Sequence, residues 1–109
     1  MTEQTTEAPV LDLLKSMTAE SLAASSLDVE TLALVRIAAL AAVDAPAVSY
    51  LLNLEAASEV GIDAEQVRGV LAAIAPIVGT ARVASATGKI VDALDVAIEV
   101  ADLEAQSEE

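Results

Sequence analysis

Apolar residues in this chain recur three and four positions apart, and no stretch alternates them with polar ones. The most regular instance is Val67, Val70, Leu71, Ile74, Ile77 and Val78, a spacing that stacks side chains along one helix face. A chain with this period and no strand period folds as helices packed on helices. Alanine, about a fifth of the residues, adds the strongest intrinsic helix propensity and lets helix axes approach closely.

The same period and its punctuation divide the chain. Val10, Leu13, Leu14 and Met17 form an amphipathic stripe in a helix over 9–24, broken by Ser25 and Ser26. Asp28 is a good N-cap for the next helix, about Val29 to Val43. That helix is apolar nearly all round, so it is expected to be buried on several sides, one of them against another subunit. Asp44-Ala45-Pro46 opens a third helix that runs to about Val60, where Gly61 ends it in a left-handed conformation. Asp63 and Gln66 have the spacing of a capping box for the fourth helix; Pro76 should loosen its last turn and Gly79 close it. Thr80 then caps a final helix from about Ala81 to Leu103, with Val83, Ala86, Ile90, Leu94, Ala97 and Ile98 on one face and Gly88 as a weak spot. The expectation is one all-α bundle of five to six helices over 9–103, with a loose segment at 1–8 and a frayed acidic tail at 104–109.

Composition raises a problem for such a bundle. Hydrophobic residues make up 55% of 109 positions and the mean hydropathy is +0.59, yet a small domain leaves much of its surface outside. The apolar runs Ile37 to Val43 and Val70 to Val78 fall well short of the ~18 residues of a membrane span. The first residues, MTEQTTEAP, lack the basic and apolar regions of a secretory signal. The remaining outlet for the excess is another copy of the chain or a partner, and self-association is the preferred expectation. The net charge of −13 repels phosphate backbones and anionic leaflets, so neither nucleic acid nor a membrane surface is expected as a partner. Acidity keeps an apolar oligomer soluble. The lack of cysteine suits a reducing cytoplasm.

With no cysteine and no histidine, thiol redox chemistry, imidazole acid–base catalysis and a Ser-His-Asp triad are excluded. No Asp/Glu spacing fits a calcium loop, and no metal or cofactor is expected. Glu55 and Glu59 lie one turn apart, where a solvated face is the ordinary reading and an acid/base pair the sharper one.

Between Leu27 and about Ala86 the order of elements resembles the carboxymuconolactone decarboxylase and alkylhydroperoxidase D-like family. The matching features are Leu27-Asp28-x-x-Thr31 opening an apolar helix, Ala57-x-x-x-Gly61 closing the next, Asp63-x-x-x-Val67, and an apolar helix ending at Gly79. The resemblance implies an alkylhydroperoxidase D-like bundle that assembles as a trimer or hexamer, with peroxidase or decarboxylase activity. It also implies where the family's Cys-x-x-Cys-x-x-x-His pattern falls, and those positions hold Pro46, Ser49 and Asn53. The family's carboxylate relay falls at Ala33 or Leu34. A serine hydroxyl cannot pass through a thiolate–sulfenate–disulfide cycle, and an asparagine cannot shuttle a proton. The implied member is therefore a non-catalytic, structural or regulatory homo-oligomer.

A second reading is a binding module for a small apolar molecule. Its candidate residues are Arg36, Ser49, Tyr50 and Asn53, in the pocket that the resemblance implies. Each has a plainer role: Arg36 reaching solvent or Glu55, Ser49 and Asn53 bonding locally, and Tyr50 sitting in the core or an interface. An enzyme using carboxylates, Lys15 or Lys89 is the third reading, and no motif supports it.

Overall fold

The computed structural model describes residues 8–107, so residues 1–7 of the expected loose segment and Glu108–Glu109 of the tail lie outside the described residues. Five helices run in the order α1 (Pro9–Ala24), α2 (Val29–Ala42), α3 (Ala47–Glu59), α4 (Ala64–Val78) and α5 (Thr80–Ser107), with no strand among the described residues. The chain is all-α, as its apolar period requires. No helix among the described residues is long and apolar enough to cross a membrane.

Short-range chemistry sets the corners. The Asp28 side chain accepts from the Thr31 amide at 2.8 Å and opens α2. Asp63 and Gln66 make both arms of the expected capping box, at 2.9 and 3.0 Å, and open α4. Helix α3 ends in a Schellman turn: Gly61 takes a φ of 92°, its amide donates to the Ser58 carbonyl, and the Ile62 amide donates to the Ala57 carbonyl. Ile62 and Ala57 then pack together in the core, the apolar contact that accompanies this turn.

Helix α2 closes in the same turn, through Asp44 amide to Ala41 carbonyl and Ala45 amide to Leu40 carbonyl. Here the left-handed position is held by Asp44, at φ 56°, the only non-glycine residue with positive φ among those described. Asp44 therefore ends α2 rather than capping α3, and Pro46 occupies the N-cap position of α3 instead. Thr80 is likewise not a cap. It lies inside α5, and the Val83 amide donates to the Gly79 carbonyl, so Gly79 (φ 91°, ψ 163°) alone joins α4 to α5. Pro76 sits within α4, which continues to Val78. The last helix runs through Gly88 and on to Ser107, one turn past the expected end, because nothing between Leu103 and Ser107 breaks a helix.

Helix α2 is the hub, packing against α3, α4 and α5. Its Ile37 and Ala41 are wholly enclosed, while Val43 is 70% exposed. Two clusters form the core, one around Tyr50, Ala86, Ile90 and Ala93, the other around Ile37, Ala57 and Ile62. Among the described residues, half of the ten buried hydrophobic residues are alanine, so this core is built from backbones in close approach more than from bulky side chains.

Much of the apolar content remains outside. Helix α1 buries none of its residues. On α5, Val91, Leu94, Ile98 and Leu103 are all at least half exposed. The radius of gyration is 15.9 Å, against about 13 Å for a compact chain of this length. The accessible surface is 7419 Å², against roughly 5,700 Å² for a monomer of this mass.

Candidate functional site

Arg36 and Asn53 meet. Together with Leu14, Met17, Thr18 and Ser21 they line a shallow depression of about 260 Å³ between α1 and the α2–α3 pair. Arg36 does not pair with Glu55. Its Nη2 donates to the Ser21 Oγ at 3.1 Å and to the Thr18 carbonyl at 3.5 Å, so the guanidinium fastens the second half of α1 to the bundle. Thr18 Oγ1 is turned back onto the Leu14 carbonyl at 2.9 Å.

Asn53 Nδ2 donates to the Ser49 carbonyl at 2.9 Å, one turn earlier on α3, and the Ser49 amide donates to the Pro46 carbonyl at 3.0 Å. On the face shared by Pro46, Ser49 and Asn53, the Asn53 side chain is thus committed to a local backbone bond. Ser49 does not line the depression, and neither does Tyr50. Tyr50 is fully enclosed in the core, its hydroxyl without a hydrogen-bond partner. Burial pushes its phenol above the ordinary value of 10.0, with the negative charge of Asp44 adding to the effect. The four expected ligand residues therefore divide: two line the depression, one stands beside it, and one belongs to the core.

A larger feature lies elsewhere. A cleft of about 600 Å³ runs between the end of α3, α4 and α5, floored by Leu54, Val67, Leu71, Ile90, Val91 and Leu94. Its few polar neighbours include Asp63 and Arg68, both at the exposed rim, where Arg68 pairs with Glu65. The signal for it was present in the regular stripe of α4, which is wider than one neighbouring helix covers: Val67 and Leu71 touch the core and line the cleft at once.

A polar cluster with no counterpart among the sequence motifs joins α2 to α5. Asp44 Oδ1 accepts from Ser85 Oγ at 2.7 Å and from Lys89 Nζ at 3.0 Å, and Lys89 Nζ donates again to the Asp44 carbonyl at 3.3 Å. Arg82 Nη1 donates to the Ala42 carbonyl at 2.7 Å. Three residues on one face of α5, Arg82, Ser85 and Lys89, so grip the C-terminal turn of α2, with both cations at the negative end of its dipole. The Ser85 hydrogen bond and then the Lys89 ammonium hold the Asp44 carboxyl below the ordinary 3.8. This is a brace between helices. Glu55 and Glu59 are both exposed, and among the described residues no group of three or more Asp or Glu is placed to hold a metal ion.

No family model matches the chain, and no curated protein or solved structure does either.

Proposed function

We propose that this chain is a non-catalytic, self-associating structural or regulatory protein, which in cells acts in the cytoplasm as a homo-oligomer. The observation that carries the reading is the exposed apolar surface: a fully unburied α1, a projecting α5 and an open apolar cleft on one small bundle. Surfaces of this kind on soluble chains mark protein contacts. The resemblance of its sequence pattern to the carboxymuconolactone decarboxylase-like family would imply a trimer or hexamer. The positions that would carry that family's chemistry hold Pro46, Ser49 and Asn53, and the Asn53 side-chain amide is spent on the Ser49 carbonyl.

Light scattering at micromolar concentration tests the reading directly. An oligomer is expected, and a stable monomer would remove the main support. No hydroperoxide reduction above background is expected, with or without added thiol; measurable turnover would falsify the non-catalytic assignment.

A second reading is favoured by the cleft, whose volume of about 600 Å³ falls in the 300–1,000 Å³ range of small-molecule sites. It is a site for a small apolar ligand, displaced from where the sequence placed it. Stabilisation of the assembled protein by an apolar compound in a thermal-shift panel would support it.

A further inference from the structure

We infer that the α4–α5 cleft is the seat for α1 of a second copy. This rests on the self-association proposed above and names the contact that makes it.

On α1, Leu14, Met17, Thr18 and Ser21 line the depression against the chain's own bundle, where the Arg36 guanidinium holds the Thr18 carbonyl and the Ser21 hydroxyl. Val10 and Leu13 lie outside that depression at i and i+3, and Met17, at i+7, stands at its edge. They are 67%, 59% and 53% exposed. Isolated helices of this length are marginal in water, so a helix clamped at one end with a bare apolar strip at the other is incomplete alone. The cleft supplies the complementary half. None of its lining residues comes from α1 or α2, so the helix and the seat are separate surfaces of one chain. An amphipathic helix seated in an apolar groove by anchors at this spacing is a common recognition mode. Lengths match as well: at 1.5 Å per residue α1 spans about 24 Å and the α4 wall about 22 Å. The area agrees too. The chain exposes 7419 Å², roughly 1,700 Å² beyond expectation for its mass, while one standard interface covers about 800 Å² per partner. Each copy that gives one helix and receives one uses two such patches. In this arrangement Arg36 is a positioning residue: it presents α1 to the neighbour.

Because the chain contains no cysteine, single engineered thiols report the contact without background. Full-length Met17→Cys and full-length Ala72→Cys, the second on the cleft wall, are mixed and mildly oxidised. A disulfide-linked heterodimer is expected to form in preference to either homodimer. Adding Arg36→Ala to the Met17→Cys chain, or Val91→Glu to the Ala72→Cys chain, should lower its yield about tenfold, the loss of one good anchor. Three results overturn the inference: only Met17–Met17 links, which mean that α1 pairs with α1; closure within a single Met17→Cys/Ala72→Cys chain, which means that the helix fills its own cleft; or strong uptake of an apolar dye by the parent oligomer that Val91→Glu abolishes, which means that the cleft stays open to small molecules. Light scattering on the same samples separates the two levels. An oligomer without the heterodimer refutes this seat and leaves the proposed function standing, whereas a monomer refutes both.

Discussion

Tyr50 carries the chain's one aromatic ring, and the bundle encloses it entirely while leaving its hydroxyl without a partner. Removing an unpaired buried hydroxyl removes a desolvation cost, so Tyr50→Phe is expected to stabilise the protein by up to about 1 kcal/mol. Chemical denaturation of the two proteins checks this, and a loss of stability would mean that the hydroxyl does make a bond. The raised phenol pKa adds a pH dependence. The neutral form is the one the fold favours, so its contribution is present below pH 10.0 and is lost as the pH climbs through the raised value. Asp44 has the opposite sign. Its folded pKa is depressed, so its contribution is full above 3.8 and fades as pH falls through the lowered value. Substitution separates its two roles, the left-handed backbone at φ 56° and the brace to Ser85 and Lys89. Asp44→Gly keeps the backbone free of strain and loses the brace, whereas Asp44→Ala loses both. Melting temperatures should therefore fall in the order Asp, Gly, Ala. Equal values for Gly and Ala would show that the backbone conformation costs nothing here. The cluster was invisible in the sequence because Asp44 and Lys89 lie 45 positions apart and the local signal at Asp44-Ala45-Pro46 pointed to a helix start.

At the scale of the element, α2 is the test of the packing. Leu40 packs against the core cluster that contains Tyr50 and Ile90. Leu40→Asp places a carboxylate against that apolar cluster. A loss of about 3 kcal/mol is expected, with dissociation or aggregation. A variant as stable and as oligomeric as the parent would mean that α2 is not the hub. Helices of this kind are the most legible part of such a sequence. Caps at Asp28 and Asp63 and the stop at Gly61 each follow from one residue's hydrogen bonding or φ, and each lies where local chemistry put it. Where a helix boundary moved, at Thr80 and beyond Leu103, the deciding term was continuation: helix propensity ran on, and no neighbour stopped it. The site was less legible. Arg36 and Asn53 do share a surface, but α1 forms its other wall, and the sequence says that α1 is amphipathic without saying what faces it. The wide apolar stripe of α4 hints at the cleft, but its opening depends on how α4 and α5 diverge from Gly79, a tertiary quantity with no local signature.

For the whole molecule, the central tension lies between attraction through apolar faces and repulsion among copies that each carry −13 charges. The two terms respond differently to salt. Burial of apolar surface does not depend on charge screening, whereas repulsion between exposed carboxylates reaches about 30 Å at 0.01 M salt and only about 8 Å at 0.15 M. Assembly through α1, α5 and the cleft is therefore expected to tighten as salt rises, and to do so without any change in helix content. Acidification toward the pI of about 4.1 should act in the same direction, until the depressed carboxyls at Asp28 and Asp44 begin to protonate below 3.8 and their hydrogen bonds to Thr31, Ser85 and Lys89 weaken. Sedimentation velocity across a salt series, with circular dichroism on the same samples, measures both quantities. Tightening with salt at constant helicity fits copies held by apolar contact against their own charge. If the assembly instead loosens as salt rises, ion pairs hold it together, and the exposed leucines and valines of α1 and α5 are not what joins one copy to the next.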